Sequence, residues 1–500
     1  MKHSKLIKLI AALRSNEIRE IRKTLKKEKE QDLLQTFDLL LSQVRKGKVK
    51  DSESFILKHN LPQIQFPYVV THRLQNIILN NLTWTLLNSH KTHKLLLQIL
   101  HAIILYNRGL ENDAKELMNQ VRTRVLSLGH PSLMTTLAFY ISIQYNDRES
   151  LKNVISLWKT ATSNQSLIVK SSLLFSQVLK YSLGVFAKRD LSNLSVKTRK
   201  AIKHLLSLQI PKGYLPAYVI LIRKHDVLFY TLGRFDISRR LLPHLDKQSK
   251  ILTSVYQPEI RAAILARLIR QAVIEADTEK LTELISEAKT IINNPSLAPE
   301  WKINLSTKHP CMYQITGDLD KANKTIKQLI KNYRIKNSIT MLKELSSIND
   351  LLEIIFMRIN NNFIARRHPS LITRDLNLYN SITSKLDNSE YDKFFDLLYV
   401  VCKTAYHKSA YWNRQLKKVT NKDDALKEFG DLIIEWNKEE FKREKYEQYL
   451  RRLKDIVWNV PGIGHILSIL NIPGWILRET MPPDKAERTG RMLTKKFLGL

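Results

Sequence analysis

Tyr230-Thr-Leu-Gly233-Arg-Phe-Asp-Ile-Ser238 reads as the junction between two helices. An aromatic residue stands three positions before a glycine, and a small residue stands five after it. Glycine enters the left-handed conformation that ends a helix without steric cost. The small residue lets the next helix come close, and the aromatic fills the groove between the two. The arrangement recurs at Tyr106-Asn-Arg-Gly109-Leu-Glu-Asn-Asp-Ala114 and, with one extra residue, at Tyr313-Gln-Ile-Thr-Gly317-Asp-Leu-Asp-Lys-Ala322. Apolar residues follow each at helical spacing: Met118 and Val121, Leu242 and Leu245, Ile326 and Leu329. Degenerate copies lie at 145–151 and 275–282, and a turn near 184–190 fills the remaining gap. The turns are then one or two periods of roughly 37–45 residues apart, the range of helical-hairpin repeats.

These three stretches resemble the junction of helices A and B in tetratricopeptide repeats. The resemblance implies an all-α protein, an α-solenoid of helical hairpins. An irregular helical bundle with recurrent glycine turns is the other reading of the same residues. Working outward, residues 1–65 are expected to form an N-terminal helical cap, with Leu6, Ile10 and Leu13 on one face and Leu33, Phe37, Leu40 and Val44 on another. Residues 66–365 form the repeat region. A boundary in 360–390 sets off 366–500 as a basic C-terminal helical domain. Pro-Ser pairs at 131–132 and 369–370 mark helix starts.

Composition agrees with helices. Only 13 glycines and 15 prolines occur in 500 residues, and 43% of the residues are hydrophobic, enough for a sizeable core. The net charge is +34, from 81 Lys+Arg against 47 Asp+Glu. That excess repels itself in a compact chain unless a polyanion compensates it. RNA, and the ribosome above all, is the expected partner, with an anionic membrane surface as the alternative and a protein partner in the solenoid groove as a further possibility. The codon bias of an AT-rich genome is a competing source of the lysines. Two cysteines without a Cys-x-x-Cys spacing exclude a disulfide framework and a thiolate zinc site, and point to a reducing compartment. The N-terminus is a poor secretory or mitochondrial leader, because lysine and arginine interrupt a short apolar run and Glu17 and Glu20 follow. No window has the roughly 18 uninterrupted apolar residues of a membrane span. A cytoplasmic location follows, with the mitochondrial matrix or inner-membrane periphery as the alternative.

No phosphate-binding loop, dinucleotide fingerprint, nucleophile elbow or His-Glu-x-x-His motif is present. His90 and His93 lack a companion carboxylate or thiol and read as two exposed helical residues rather than a metal site. No catalytic residue, cofactor or small-molecule substrate is expected. Electrostatics carries the chemistry instead. The stretch 402–418 interleaves Lys403, Lys408, Arg414, Lys417 and Lys418 with Tyr406, Tyr411 and Trp412. Cations meet phosphates, and exposed aromatics stack on unpaired bases. His407 and Tyr411 are one turn apart, so the aromatics read equally well as a core stripe with the lysines solvated behind them. Arg443, Arg451 and Arg452 extend the basic set, and 366–368 and Arg199, Lys200 and Lys203 are secondary candidates.

Within 443–461, Gln448, Leu450, Arg451, Asp455, Val460 and Pro461 lie on a basic stretch that runs into Val-Pro, then Gly462-Ile-Gly464 and an apolar segment ending at Pro473. This is similar to the core of the LETM-like family. The resemblance implies a ribosome-binding domain, in proteins linked to mitochondrial cation exchange and to translation of membrane proteins. Met481-Pro-Pro483 stands where that family has Leu-Pro-Ser, and the apolar stretch is shorter. The segment 457–477 is then either an interfacial membrane anchor or a hairpin, kinked at Pro461-Gly462 and Pro473-Gly474, that packs on the helices before it.

Overall fold

The computed structural model describes the chain except residues 1–4, 14, 28–29, 46–48, 50, 59–66, 90, 145–147, 182–193, 212, 254–257, 295–296, 333–347, 387–393, 408, 422–423 and 439–444. All regular structure among the described residues is helical. The chain divides into two compact units, Met1–Val121 and Arg122–Leu500.

The first unit holds α1 (Lys5–Ala12), α2 (Ser15–Lys27), α3 (Gln31–Arg45), α4 (Ser52–Lys58), α5 (Pro67–Ser89) and α6 (Lys91–Asn107), and ends inside α7 (Glu111–Leu128). Its core joins Leu6, Ile10 and Leu13 of the first turns to Ile21, Leu25, Phe37 and Leu40. These are the faces the sequence periodicity marks, and Val44 packs at their edge.

The second unit begins with α8 (Pro131–Gln144), α9 (Arg148–Tyr181), α10 (Val196–Ser207) and α11 (Tyr214–Asp226). It continues through α12 (Phe235–Thr253), α13 (Pro258–Ile274), α14 (Thr278–Ile292), α15 (Pro299–Ser306), α16 (His309–Ile315) and α17 (Leu319–Asn332). After α18 (Ile348–Ile364) and α19 (Pro369–Thr383) come α20 (Phe394–His407), α21 (Ala410–Thr420), α22 (Asp424–Lys438) and α23 (Tyr446–Asn459). Three helices close the chain: α24 (Ile463–Ile469), α25 (Ile472–Leu477) and α26 (Pro483–Phe497). Most consecutive helices pack on one another, as helical hairpins do.

The glycine turns take the expected form. Gly109, Gly233 and Gly317 have φ of 80°, 59° and 78°. Ala114, Ser238 and Ala322, five residues on, are fully buried, so the following helices do approach closely. The amide after the turn donates back to the last helical turn, Leu110 to the Leu105 carbonyl at 3.0 Å and Asp318 to Tyr313 at 2.8 Å, which satisfies carbonyls a helix end would orphan. At 275–277 the same closure, Asp277 to Ala272 at 3.0 Å, is made with Ala276 at φ 49°. The Gly233 turn differs. Val227–Thr231 is π-helical, so one residue is inserted and the closing bond runs from Arg234 to Leu228. The copies at 145–151 and 184–190 lie wholly or partly outside the described residues.

Two features organise the second unit. Helix α18 is buried along almost its whole length although it carries Glu353, Arg358 and three consecutive asparagines, 360–362. The closing helices α24–α26 pack on α18, α13 and α16, and every residue from Val460 to Leu477 except Ser468 is buried. They reach two of the repeat turns. A Cβ at Gly233 would stand 2.5 Å from the backbone of Pro461 and Gly462, and one at Gly317 would stand 2.7 Å from the Asp484 carbonyl. From Val460 onward the segment 457–477 is thus part of the interior packing, while Trp458 just before it stays half exposed. No helix among the described residues is long and apolar enough to cross a membrane.

Candidate nucleic-acid interface

Helices α20 and α21 carry the residues that the sequence singles out, and they separate them. Ser409 caps α21 by accepting the Trp412 amide at 3.4 Å. Lys403 points inward and is only 9% exposed. Its ammonium lies 5.5 Å from the ring centres of both Tyr399 and Trp412 and 3.3 Å from His407 Nε2. Burial pulls its pKa down, and burial together with the Lys403 charge does the same to His407. Lys403 is therefore an internal strut with no free charge for phosphate. Trp412 is half-buried, edge-on to Tyr399 at 5.8 Å, and Tyr406 is half-buried against His407. These aromatics take the packing role that was one of their two readings.

Tyr411, Arg414 and Lys418 remain on the outer face. At spacings of three and four they form one stripe along α21, an aromatic followed by two cations. Lys417 is exposed as well, but lies 3.6 Å from Asp431. Lys408 and Arg443 lie outside the described residues.

Helix α23 splits the LETM-like pattern into two environments. Gln448, Arg451 and Asp455 are exposed and share one face of the helix. Leu450 is half-buried, and Val460, Pro461 and Pro473 are buried in the unit. Arg451 has its side chain 80% exposed, with Glu447 at 3.6 Å one turn back. Arg452 is paired with Glu435 of α22. In 366–368 the charges are spoken for: Arg366 bonds Glu479 and the Arg478 carbonyl, Arg367 bonds Asp320, and His368 caps α19 by accepting the Ser370 amide.

Across 403–454 the fourteen Lys and Arg are offset by nine Asp and Glu. A stronger imbalance lies earlier. Between Glu149 and Asp226 there are thirteen Lys and Arg and a single acid, Asp190. The signal was the spacing of the acids rather than the density of the bases. Two of these cations serve the fold. Lys224 donates to the Leu206 and Leu208 carbonyls at 2.7 and 2.6 Å, closing the end of α10, and Arg223 donates to the Ile168 carbonyl at 3.0 Å. Lys197, Lys200 and Lys203 project from α10 at a spacing of three, all exposed, and Lys152, Lys159 and Lys170 do so from α9. Among the described residues no carboxylate forms an ion pair with any of the six.

A second cluster is buried and chemically quiet. Lys308 Nζ meets Glu353 at 2.7 Å and Asp350 at 3.4 Å, and Arg270 shares the Glu353 carboxylate. Burial alone would raise the Glu353 pKa, but the two cations hold it below the usual carboxylate range. His465 is fully enclosed, its Nε2 donating to the Phe229 carbonyl at 2.7 Å. Burial lowers its pKa to about 4, against the pull of that carbonyl. Tyr230, expected to fill the groove between repeat helices, stacks on the His465 ring instead at 5.7 Å. Burial also pushes the Cys311 thiol up to about 11 and raises Cys402 further. No group of three metal-ligating side chains occurs among the described residues.

Comparison with known protein families, with characterised proteins and with solved structures finds no match to this chain.

Proposed function

We propose that this chain is a non-enzymatic helical scaffold that docks on RNA, with the ribosome as its natural target. In this reading the helical hairpins form a tetratricopeptide-like array in the cytoplasm. The carrying observation is the set of exposed lysines on α9 and α10 within a stretch that has thirteen cations and one acid. Among the described residues no carboxylate pairs with these lysines, so such a surface holds a positive field. The Tyr411–Arg414–Lys418 stripe adds an aromatic that can stack on an unpaired base beside two phosphate contacts. The LETM-like pattern supports the same target through Gln448, Arg451 and Asp455, its exposed half. The interfacial-anchor alternative for 457–477 has little exposed surface to use, because every residue from Val460 to Leu477 except Ser468 is buried and only Trp458 among its large apolar side chains is half exposed.

Co-sedimentation of the purified protein with ribosomes tests this. Binding is expected to weaken by about 10³ or more between 50 and 200 mM salt if six or more phosphates are contacted, because each contact releases counterions. Nuclease digestion of the ribosomal RNA should abolish it. Failure to sediment with ribosomes at low salt, or sedimentation indifferent to both salt and nuclease, rules out the RNA reading.

A further inference from the structure

Helix α9 carries a second kind of surface. From Ser150 to Tyr181 it contains no acidic residue. Ile155, Trp158, Val169 and Leu173 are 53%, 46%, 49% and 60% exposed. At about 100° per residue these four lie within a strip roughly 60° wide and about 27 Å long. The outward positions between them, Thr162 and Ser166, are uncharged. Lys152, Lys159 and Lys170 fall about 60–80° to one side, so they form a single ridge along one edge of the strip. The opposite edge turns through Val154, Leu157 and Ala161 into the core.

From this arrangement we infer that α9 is a membrane-contact helix, which lies flat on an anionic lipid surface with its apolar strip in the headgroup–acyl boundary. Apolar side chains gain by leaving water there, while the lysine ridge reaches lipid phosphates and carboxylates. RNA offers nothing to Ile155, Val169 or Leu173. A second copy of this chain would bring another +34 against the first. A single partner helix would cover one strip, yet Phe139 of the uncharged α8, Val196 at the start of α10 and Ile210 beyond its end are also 54%, 60% and 51% exposed. Apolar exposure spread over several elements of one acid-poor region suits a broad surface better than a rod. The apolar strip takes no part in the RNA reading, which shares with this contact only the lysine ridge of Lys152, Lys159 and Lys170.

Flotation of the full chain with vesicles of phosphatidylcholine, with and without one third phosphatidylserine, tests it. The protein should float with the anionic vesicles only. A bound fraction should persist at about 0.5 M salt, where the Debye length is a few ångströms, because insertion of apolar side chains is not screened. The variant I155Q/W158Q/V169Q/L173Q should lose that salt-resistant fraction at least about tenfold, and K152Q/K159Q/K170Q should lose the binding seen at low salt. R414Q/K417Q/K418Q, which removes as many charges from α21, should leave the salt-resistant fraction unchanged. All these positions are exposed, and matching circular dichroism establishes that each variant is folded. RNA affinity of the apolar-strip variant should equal that of the wild type, so failure of one reading is distinguishable from failure of the other. No flotation of the wild type, or salt-resistant flotation of the strip variant at wild-type level, overturns the lipid contact. Binding of a synthetic Leu/Glu amphipathic peptide in place of vesicles, lost in the strip variant, would assign the strip to an acidic helical partner and overturn it too.

Discussion

Replacing Gly233 by alanine separates two roles of one turn. The residue sits at φ 59°, and a Cβ there would stand 2.5 Å from both the Pro461 carbonyl carbon and the Gly462 nitrogen. The left-handed conformation alone costs an alanine about 1 kcal/mol or somewhat more. Backbone atoms at 2.5 Å cannot yield as a flexible side chain can, so 460–462 must move. Overpacking of that kind costs about 1–3 kcal/mol, for a total of about 2–4 kcal/mol. Gly109 is the control, because it has φ 80° but a Cβ added there would meet nothing within 4 Å. G109A should cost only the conformational part, about 1 kcal/mol. Native-state hydrogen exchange under increasing urea reads opening free energies segment by segment. In G233A the amides of 457–500 should lose about 2–4 kcal/mol of protection, whereas in G109A only those of α6 and α7 should respond. Equal losses in the two variants, with exchange in 457–500 unchanged in G233A, would refute the docking of the closing helices on that turn.

Three further outcomes follow from the buried groups. His465 has a pKa of about 4 in the folded chain against an ordinary 6.5, so the unfolded chain binds more protons between those values and stability falls as the pH drops through that window. The loss should be about 2 kcal/mol at pH 5, and H465Q should flatten that part of the urea-midpoint profile; a profile identical to wild type would contradict it. Glu353→Gln leaves the buried Lys308 and the partly buried Arg270 with one fewer counter-charge and should cost about 3–5 kcal/mol in denaturant unfolding, a cost below about 1 kcal/mol being the contrary result. Trp475→Phe removes the indole donor to Asn360 Oδ1 at 2.8 Å and should cost about 1–2 kcal/mol, visible as faster exchange in α18 and α25.

Local chemistry made the helices and turns legible. The aromatic–glycine–small pattern gave the positive φ at three glycines and the buried residue five places on, because both depend on sterics within a few residues. What the pattern could not disclose was the partner of each turn. Tyr230 and Gly233 answer to His465 and Pro461, more than two hundred residues away, and no periodicity encodes that pairing. The burial of α18 was hidden for a related reason. Glu353, Arg358 and Asn360–Asn362 look like a solvated helix until Lys308, Arg270, Asp375 and Asn471 arrive to satisfy them. Lys403 illustrates the limit for the candidate interface. Its neighbours in sequence mark it as a phosphate contact, while its neighbours in space, Tyr399 and Trp412, occupy its charge. The lysines of α10 were legible all along in the absence of acids around them, a feature that counting bases alone passes over.

The salt dependence of RNA binding bears most directly on the central claim, that acid-poor cationic helices face a polyanion. Log affinity for a single-stranded RNA should fall linearly with log salt, and replacing Lys197, Lys200 and Lys203 by glutamine should make the slope shallower by about 2, near 0.7 for each lost phosphate contact. An unchanged slope in that variant, or an affinity indifferent to salt in the wild type, would contradict it.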